Sequence, residues 1–265
     1  APIIWNNSTL QSVTCYGDTN GNIQISANGG SGSINYSMFP NFGTQITPGN
    51  FSNLPSGMYT ITATDANLCT AITIVSISQP SAITFDSILV QAPTCFGDKN
   101  GSIEIQLSGG SLPYAYQLDG GLPATNPFFL NLEGGIFTLT VTDANGCKKD
   151  SLVSLITPAL LSLSSFSIQD ELCEKANNAI LNVQAFGGSG NFTYTLRPDS
   201  VVNTTGIYTD LAPGSYSIHI IDSLGCSFDT SVQILPLQNP LQLSINKQDL
   251  GCIGKPDQGW AEVIV

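Results

Sequence analysis

Apolar and polar residues alternate with a period of two through much of the chain, and no stretch sustains the three-to-four spacing of an amphipathic helix. In the middle of the sequence, Ile83–Gln91, Ser102–Ser108, Tyr114–Leu118, Phe128–Leu132, Ile136–Thr142 and Ser151–Thr157 are rich in β-branched and aromatic residues. Clusters of Gly, Pro, Asn and Asp separate these runs, as turns require. Six or seven short strands in a unit of about 79 residues predict an all-β chain of antiparallel, immunoglobulin-like β-sandwiches.

The unit repeats. Taken every second one, Cys15, Cys95, Cys173 and Cys252 stand 80, 78 and 79 residues apart, which is the mark of tandem repeats. Other features keep the same phase. A Gly-Gly-Ser triplet recurs at Gly29-Gly30-Ser31, Gly109-Gly110-Ser111 and Gly187-Gly188-Ser189. A Leu-x-x-Gly-x-aromatic step follows at Leu54/Gly57/Tyr59, Leu132/Gly135/Phe137 and Leu211/Gly214/Tyr216. It resembles the tyrosine corner of immunoglobulin-like sandwiches, with the hydroxyl missing at Phe137. An Asp then stands four residues before the second cysteine: Asp65, Asp143 and Asp222. The expected domains are residues 1–80, 81–158 and 159–238, with 239–265 the start of a truncated fourth repeat. Around Pro80, Pro158 and Pro236/Pro240 the repeats join without a Gly/Ser-rich spacer, so a semi-rigid array is expected.

With one disulfide in each repeat, the most economical pairing is Cys15–Cys69, Cys95–Cys147 and Cys173–Cys226, and Cys252 then has its partner outside the chain. Each bridge would close a loop of about 53 residues and contribute roughly 4 kcal/mol on chain-entropy grounds. Disulfides imply an oxidising, extracytoplasmic compartment. Reduced buried cysteines and a free or intermolecular thiol at Cys252 are the alternatives. Metal ligation is weaker, because there is no C-x-x-C pair and a single histidine.

Composition narrows the partners. Nineteen acidic against seven basic residues give a net charge of −12, with only one Arg, so a nucleic-acid surface is not expected. No run of apolar residues is long enough to span a bilayer, and the first residues do not read as a signal peptide.

Candidate chemistry is sparse. Asp18 and Asn20, and likewise Asp98 and Asn100, form a D-x-N-G fragment of calcium-loop grammar, but no closing Glu follows and the third repeat loses the Asp and the Gly. A tight turn is the simpler reading, with no cofactor and calcium as the alternative. Asp65, Asp143 and Asp222 read as turn acceptors, and His219 as a solvated strand residue. No nucleophile-elbow, zinc-protease or phosphate-loop pattern occurs, so no catalytic residue is assigned and the chain is read as a non-enzyme. Trp5, Trp260, Tyr16, Phe96 and the Tyr114/Tyr116 pair are the aromatics from which a polysaccharide-stacking surface would be built; core packing explains them equally well. Asp-Ser-aliphatic triplets occur at Ser87, Ser151, Ser200 and Ser223, in no common position of the repeat.

The opening from Cys15 to Ile25 and from Cys95 to Ile105, the Gly-Gly-Ser that follows, and the Asp-Ala-Asn-x-Cys endings at Cys69 and Cys147 resemble the SprB-type repeat of giant gliding-motility adhesins and other large surface proteins of Bacteroidota. The third repeat and the residues around Cys252 depart from that pattern. The resemblance implies a stalk segment of an extracellular cell-surface adhesin, exported by the type IX secretion system and moved by gliding machinery. Its expected partners are neighbouring repeats, that machinery and surface polysaccharide. By the same resemblance Ser87, Ser151, Ser200 and Ser223 become candidate O-glycosylation sites. A polysaccharide-binding array, or accessory modules of a secreted enzyme, are the rival readings.

Overall fold

The computed structural model describes residues 1–172, 176–236, 244–248 and 260–264, and every regular element among them is a strand. In the first repeat these are β1 (Ile4–Gln11), β2 (Gly21–Asn28), β3 (Asn35–Phe39), β4 (Thr44–Thr47), β5 (Asn50–Leu54), β6 (Gly57–Thr64) and β7 (Thr70–Ile77). They form two antiparallel sheets, β1-β2-β5-β4 and β3-β6-β7. Lettered A to G in chain order, that is an A-B-E-D sheet packed on a C-F-G sheet, the strand order of a constant-type immunoglobulin sandwich.

The second repeat supplies β8 (Thr84–Gln91), β9 (Gly101–Ser108), β10 (Ala115–Leu118), β11 (Phe128–Leu132), β12 (Gly135–Thr142) and β13 (Lys148–Leu155). They fall on the six segments expected from periodicity, with ends shifted by at most about three residues. Their sheets are β8-β9-β11 and β10-β12-β13; in place of a fourth strand, an isolated bridge joins Tyr116 to Ala124. The third repeat has β14 (Ala159–Gln169), β15 (Ala179–Gly188), β16 (Thr193–Arg197), β17 (Val201–Asn203), β18 (Ile207–Leu211), β19 (Gly214–Ile221) and β20 (Ser227–Ile234). Here the short fourth strand changes sides, giving β14-β15-β18 and β17-β16-β19-β20. A further antiparallel pair, β21 (Ser244–Gln248) with β22 (Trp260–Ile264), follows.

Alternation builds a separate core in each sandwich. On β2, Gly21, Ile23 and Ile25 point inward; on β6, Tyr59, Ile61 and Ala63 meet them from the other sheet. Ile103 and Ile105 face Leu139 and Val141 in the second core, and Leu181 and Val183 face Ile218 and Ile220 in the third. Fully burying one such aliphatic side chain contributes about 1.5–3 kcal/mol. The tyrosine corners are present where the hydroxyl exists: Tyr59 donates to the Pro55 carbonyl at 2.7 Å and Tyr216 to the Ala212 carbonyl at 2.9 Å. By compactness the chain divides into two units, one of residues 1–93 with 99–156 and the other of residues 94–98 with 157–265. The first unit therefore holds two sandwiches.

Candidate functional site

Strand parity decides where each cysteine can reach. The turn after β1, which carries Cys15, lies at the end of the sandwich where Gly21 is level with Leu54. Five strands, β2 to β6, separate it from the turn carrying Cys69, and an odd number of traverses leads to the opposite end. An eight-residue strand such as β6 is roughly 25 Å long, whereas a disulfide holds its Cα atoms about 6 Å apart. Cys15 and Cys69 thus occupy opposite poles of one sandwich.

The bridges correct the expected pairing on this ground. Cys15 is bonded to Cys147, and Cys95 to Cys226, with Cα atoms 5.6 Å apart in each case. The pairs Cys15–Cys69, Cys95–Cys147 and Cys173–Cys226 are therefore not formed, and no described bridge lies within a single repeat. Cys69 is a free, exposed thiol. Cys173 and Cys252 lie outside the described residues.

The first-repeat tip, the turn between β1 and β2, is built to be rigid. Asp18 accepts the Cys15 amide at 3.1 Å, and its own amide returns to the Cys15 carbonyl at 3.1 Å. Asn20 accepts the Thr14 amide at 2.9 Å and donates to the Thr14 hydroxyl at 2.8 Å. At the second tip, Asp98 accepts the Cys95 amide at 3.2 Å, and in the third repeat Asn178 accepts the Leu172 amide at 3.0 Å. The carboxylates proposed for calcium, together with Asn20, are thus engaged by their own turns; Asn100 also has partners. Among the described residues no three His, Cys, Asp or Glu side chains gather as a metal cluster would require.

The receiving face in the first unit is made by the far pole of the second sandwich. A groove lined by Cys15, Tyr16 and Asp18 on one side and by Ser81–Ile83, Asp143, Gly146, Cys147 and Lys148 on the other marks the contact. Asn145 donates to the Thr14 carbonyl at 3.4 Å, and that oxygen lies 3.6 Å from Cys147 Sγ. In the second unit Cys95, Phe96 and Asp98 meet Ala159–Leu161, Gly225, Cys226 and Ser227, with the Thr94 oxygen 3.5 Å from Cys226 Sγ. The same constellation is built twice.

A buried aspartate holds each receiving turn. Asp143 Oδ1 accepts the Asn145 and Cys147 amides, both at 2.9 Å, while Oδ2 accepts the Ser111 amide at 3.0 Å. Asp65 repeats this with Asn67, Cys69 and Ser31, and Asp222 with Leu224, Cys226 and Ser189. The expected turn role is present, and the bond to the Gly-Gly-Ser turn adds to it. It explains why that triplet stays in phase with the Asp. Gly109 has φ +75° and a Cβ there would lie 1.8 Å from the Ala82 oxygen. The Cys69 amide, with those of Ser31 and Asn67, holds the Asp65 carboxyl below its usual range.

The remaining candidates are dispersed. Trp5 packs against Tyr36 and the first core, and Tyr116 is buried beside Tyr114, so of the described aromatics proposed for sugar stacking Tyr16 and Phe96 alone are exposed. The side chain of Trp260 lies outside the described residues. His219 meets Asp229 across two strands at 2.8 Å on the sheet surface. Ser87 and Ser151 are half-buried on strands; Ser200 and Ser223 are exposed in turns, Ser223 donating to the Ser189 carbonyl.

Strand order and cystine-linked poles define a tandem array of immunoglobulin-like β-sandwiches. Residues 7–40 and 90–123 match the family described as SprB repeat, and at these two stretches the repeats are of SprB type. Both matches span a tip, the second strand and the Gly-Gly-Ser turn. No curated protein matches the chain. Among solved structures, the N-terminal eight Ig domains of Down syndrome cell adhesion molecule are 13% identical over 89% of this chain and 36% of theirs, with a TM-score of 0.42. Drosophila OTK extracellular domains 3–5 are 11% identical over 89% of this chain and 98% of theirs, at a TM-score of 0.27. Protocadherin gamma B2 cadherin domains 3–6 are 11% identical over 96% and 77%, at 0.32.

Proposed function

We propose that this chain is a load-bearing segment of a cell-surface adhesin, displayed outside the cell and working without catalysis. The observation that carries the reading is the Cys15–Cys147 bridge, which joins the tip of one sandwich to the far pole of the next. A bridge inside one domain protects that domain; a bridge between successive domains keeps a series from coming apart. The SprB-type repeats support placement on a cell surface. In its finer form the reading assigns the parent to surface adhesion and gliding, with the secretion and motility machinery as partners and O-glycans at the Asp-Ser-aliphatic serines.

Protease shaving of intact cells that make the protein tests this. The segment should be lost from a very large polypeptide while cytoplasmic markers stay intact. Retention after shaving, or recovery as an ordinary-sized protein in the medium, would count against the stalk.

A further inference from the structure

We infer that Cys69 and the pole around it form a receiving site for the cysteine tip of a preceding SprB-type repeat, closed by a disulfide at Cys69. The observation is a threefold comparison inside the molecule. The second and third sandwiches each present an Asp-x-x-x-Cys turn beside the start of their first strand, and each is bonded to a tip cysteine. The first sandwich presents the same turn, Asp65 to Cys69, held by the same three amides. Gly30 reaches the Ala1 carbonyl as Gly110 reaches that of Ser81, which makes Ala1–Ile3 the counterpart of Ser81–Ile83.

Burial follows occupancy. Ile83 and Leu161, which lead into the two occupied poles, are 8% and 5% exposed, while their counterpart Ile3 is only half-buried. Cys147 and Cys226 are covered in part or in full; Cys69 is exposed, and Leu68 beside it is 82% exposed. An incoming tip of the C-[YF]-G-D type would cover this surface as Cys15–Asp18 covers the second pole.

The chemistry is a thiol oxidation. The Cys69 thiol and the tip thiol each give up a proton, one S–S bond forms, and two electrons reduce one low-molecular-weight disulfide, such as oxidised glutathione, to two thiols. The inference rests on the geometry of the occupied poles and stands apart from the adhesin reading.

The test extends the full chain at its amino end by a copy of its own residues 1–80 that carries Cys69→Ser, so that a tip precedes Ala1 as Cys15 precedes Ser81 and only one Cys69 is present. After refolding in a glutathione redox buffer, disulfide-linked peptides are mapped by mass spectrometry. Cys15–Cys147 and Cys95–Cys226 report that the chain has folded. A peptide joining the copy's first cysteine to Cys69, with loss of Cys69 alkylation, is the expected result. Replacing that first cysteine by serine should restore alkylation at Cys69. The inference is overturned if Cys69 stays alkylatable while the two reporter bridges form, or if it bonds to any other cysteine, including Cys69 of a second copy.

Discussion

The Asp143 carboxylate accepts the Ser111 amide at 3.0 Å, and this bond ties the Gly-Gly-Ser turn to the turn that carries Cys147. One side chain therefore fixes two loops at the pole where the first tip is bonded. Asp143→Ala would leave three amides in a nearly buried spot without their acceptor, a loss on the order of 3 kcal/mol. Denaturant unfolding of the oxidised protein should show that loss, with slower closure of Cys15–Cys147 during oxidative refolding. A variant as stable as the parent would mean that solvent replaces the carboxylate.

Asp65 makes the same bonds at the pole that carries Cys69, and its carboxyl is held below the ordinary value of 3.8 chiefly by the Cys69 amide. A carboxyl depressed in the folded state contributes stability above its unfolded value and loses it as pH falls through the folded one. Below about pH 4 the turn at Cys69 should loosen, seen as faster amide exchange at Asn67 and Cys69. In Asp65→Asn the exchange at those amides should already be fast at neutral pH and change little on acidification.

Two tyrosines of the third sandwich should respond oppositely to loss of the hydroxyl. Tyr216 donates to the Ala212 carbonyl at 2.9 Å, so Tyr216→Phe should cost roughly 1 kcal/mol. Tyr208 is buried with its hydroxyl unpartnered, and burial pushes its pKa up to about 12. Tyr208→Phe should stabilise by about 1 kcal/mol, since it removes a desolvated group that gains no bond. A phenol with a raised folded pKa keeps its contribution below the unfolded value near 10 and loses it as pH climbs toward the folded one. Between about pH 10 and 12 the parent should therefore lose stability faster than Tyr208→Phe. Equal alkaline slopes would show that Tyr208 is not the responsible group.

Much of the architecture was legible because alternation and turn residues are local. The six segments of the second repeat mark β8 to β13, and Leu-x-x-Gly-x-Tyr marks the corner that Tyr59 and Tyr216 complete. The cysteine connectivity was not legible by economy, because a short loop in sequence says nothing about which pole a turn occupies. Parity carries that signal: five strands between Cys15 and Cys69 place them at opposite ends. The second repeat hides it, since only four strands separate Cys95 from Cys147 where the fourth has become a single bridge at Ala124. The Asp143–Ser111 bond was equally veiled. Both motifs were visible at a constant offset, but their contact depends on two turns meeting at one end of the fold.

Overlap between the two bridges gives a mechanical prediction that separates this connectivity from pairing within repeats. The loop closed by Cys15–Cys147 contains Cys95, and the loop closed by Cys95–Cys226 contains Cys147. When the oxidised chain is stretched from its ends, load passes from Cys15 to Cys147, back along the backbone to Cys95, and across to Cys226. Counting these two described bridges alone, about 105 residues lie in the load path, and reducing both should add about 160 more, roughly 550 Å at 3.3–3.6 Å per residue. Pairing within repeats would give nearly the same total, so reduction alone does not discriminate. Cys15→Ser does. With overlapping loops the surviving Cys95–Cys226 bridge still shortcuts most of the chain, and the oxidised path lengthens by only about 28 residues, near 100 Å. A bridge confined to the first repeat would instead release the whole stretch from Cys15 to Cys69, about 54 residues or close to 190 Å. Single-molecule extension of the oxidised Cys15→Ser chain resolves that difference, and an increment near the larger value would refute bridging between successive sandwiches.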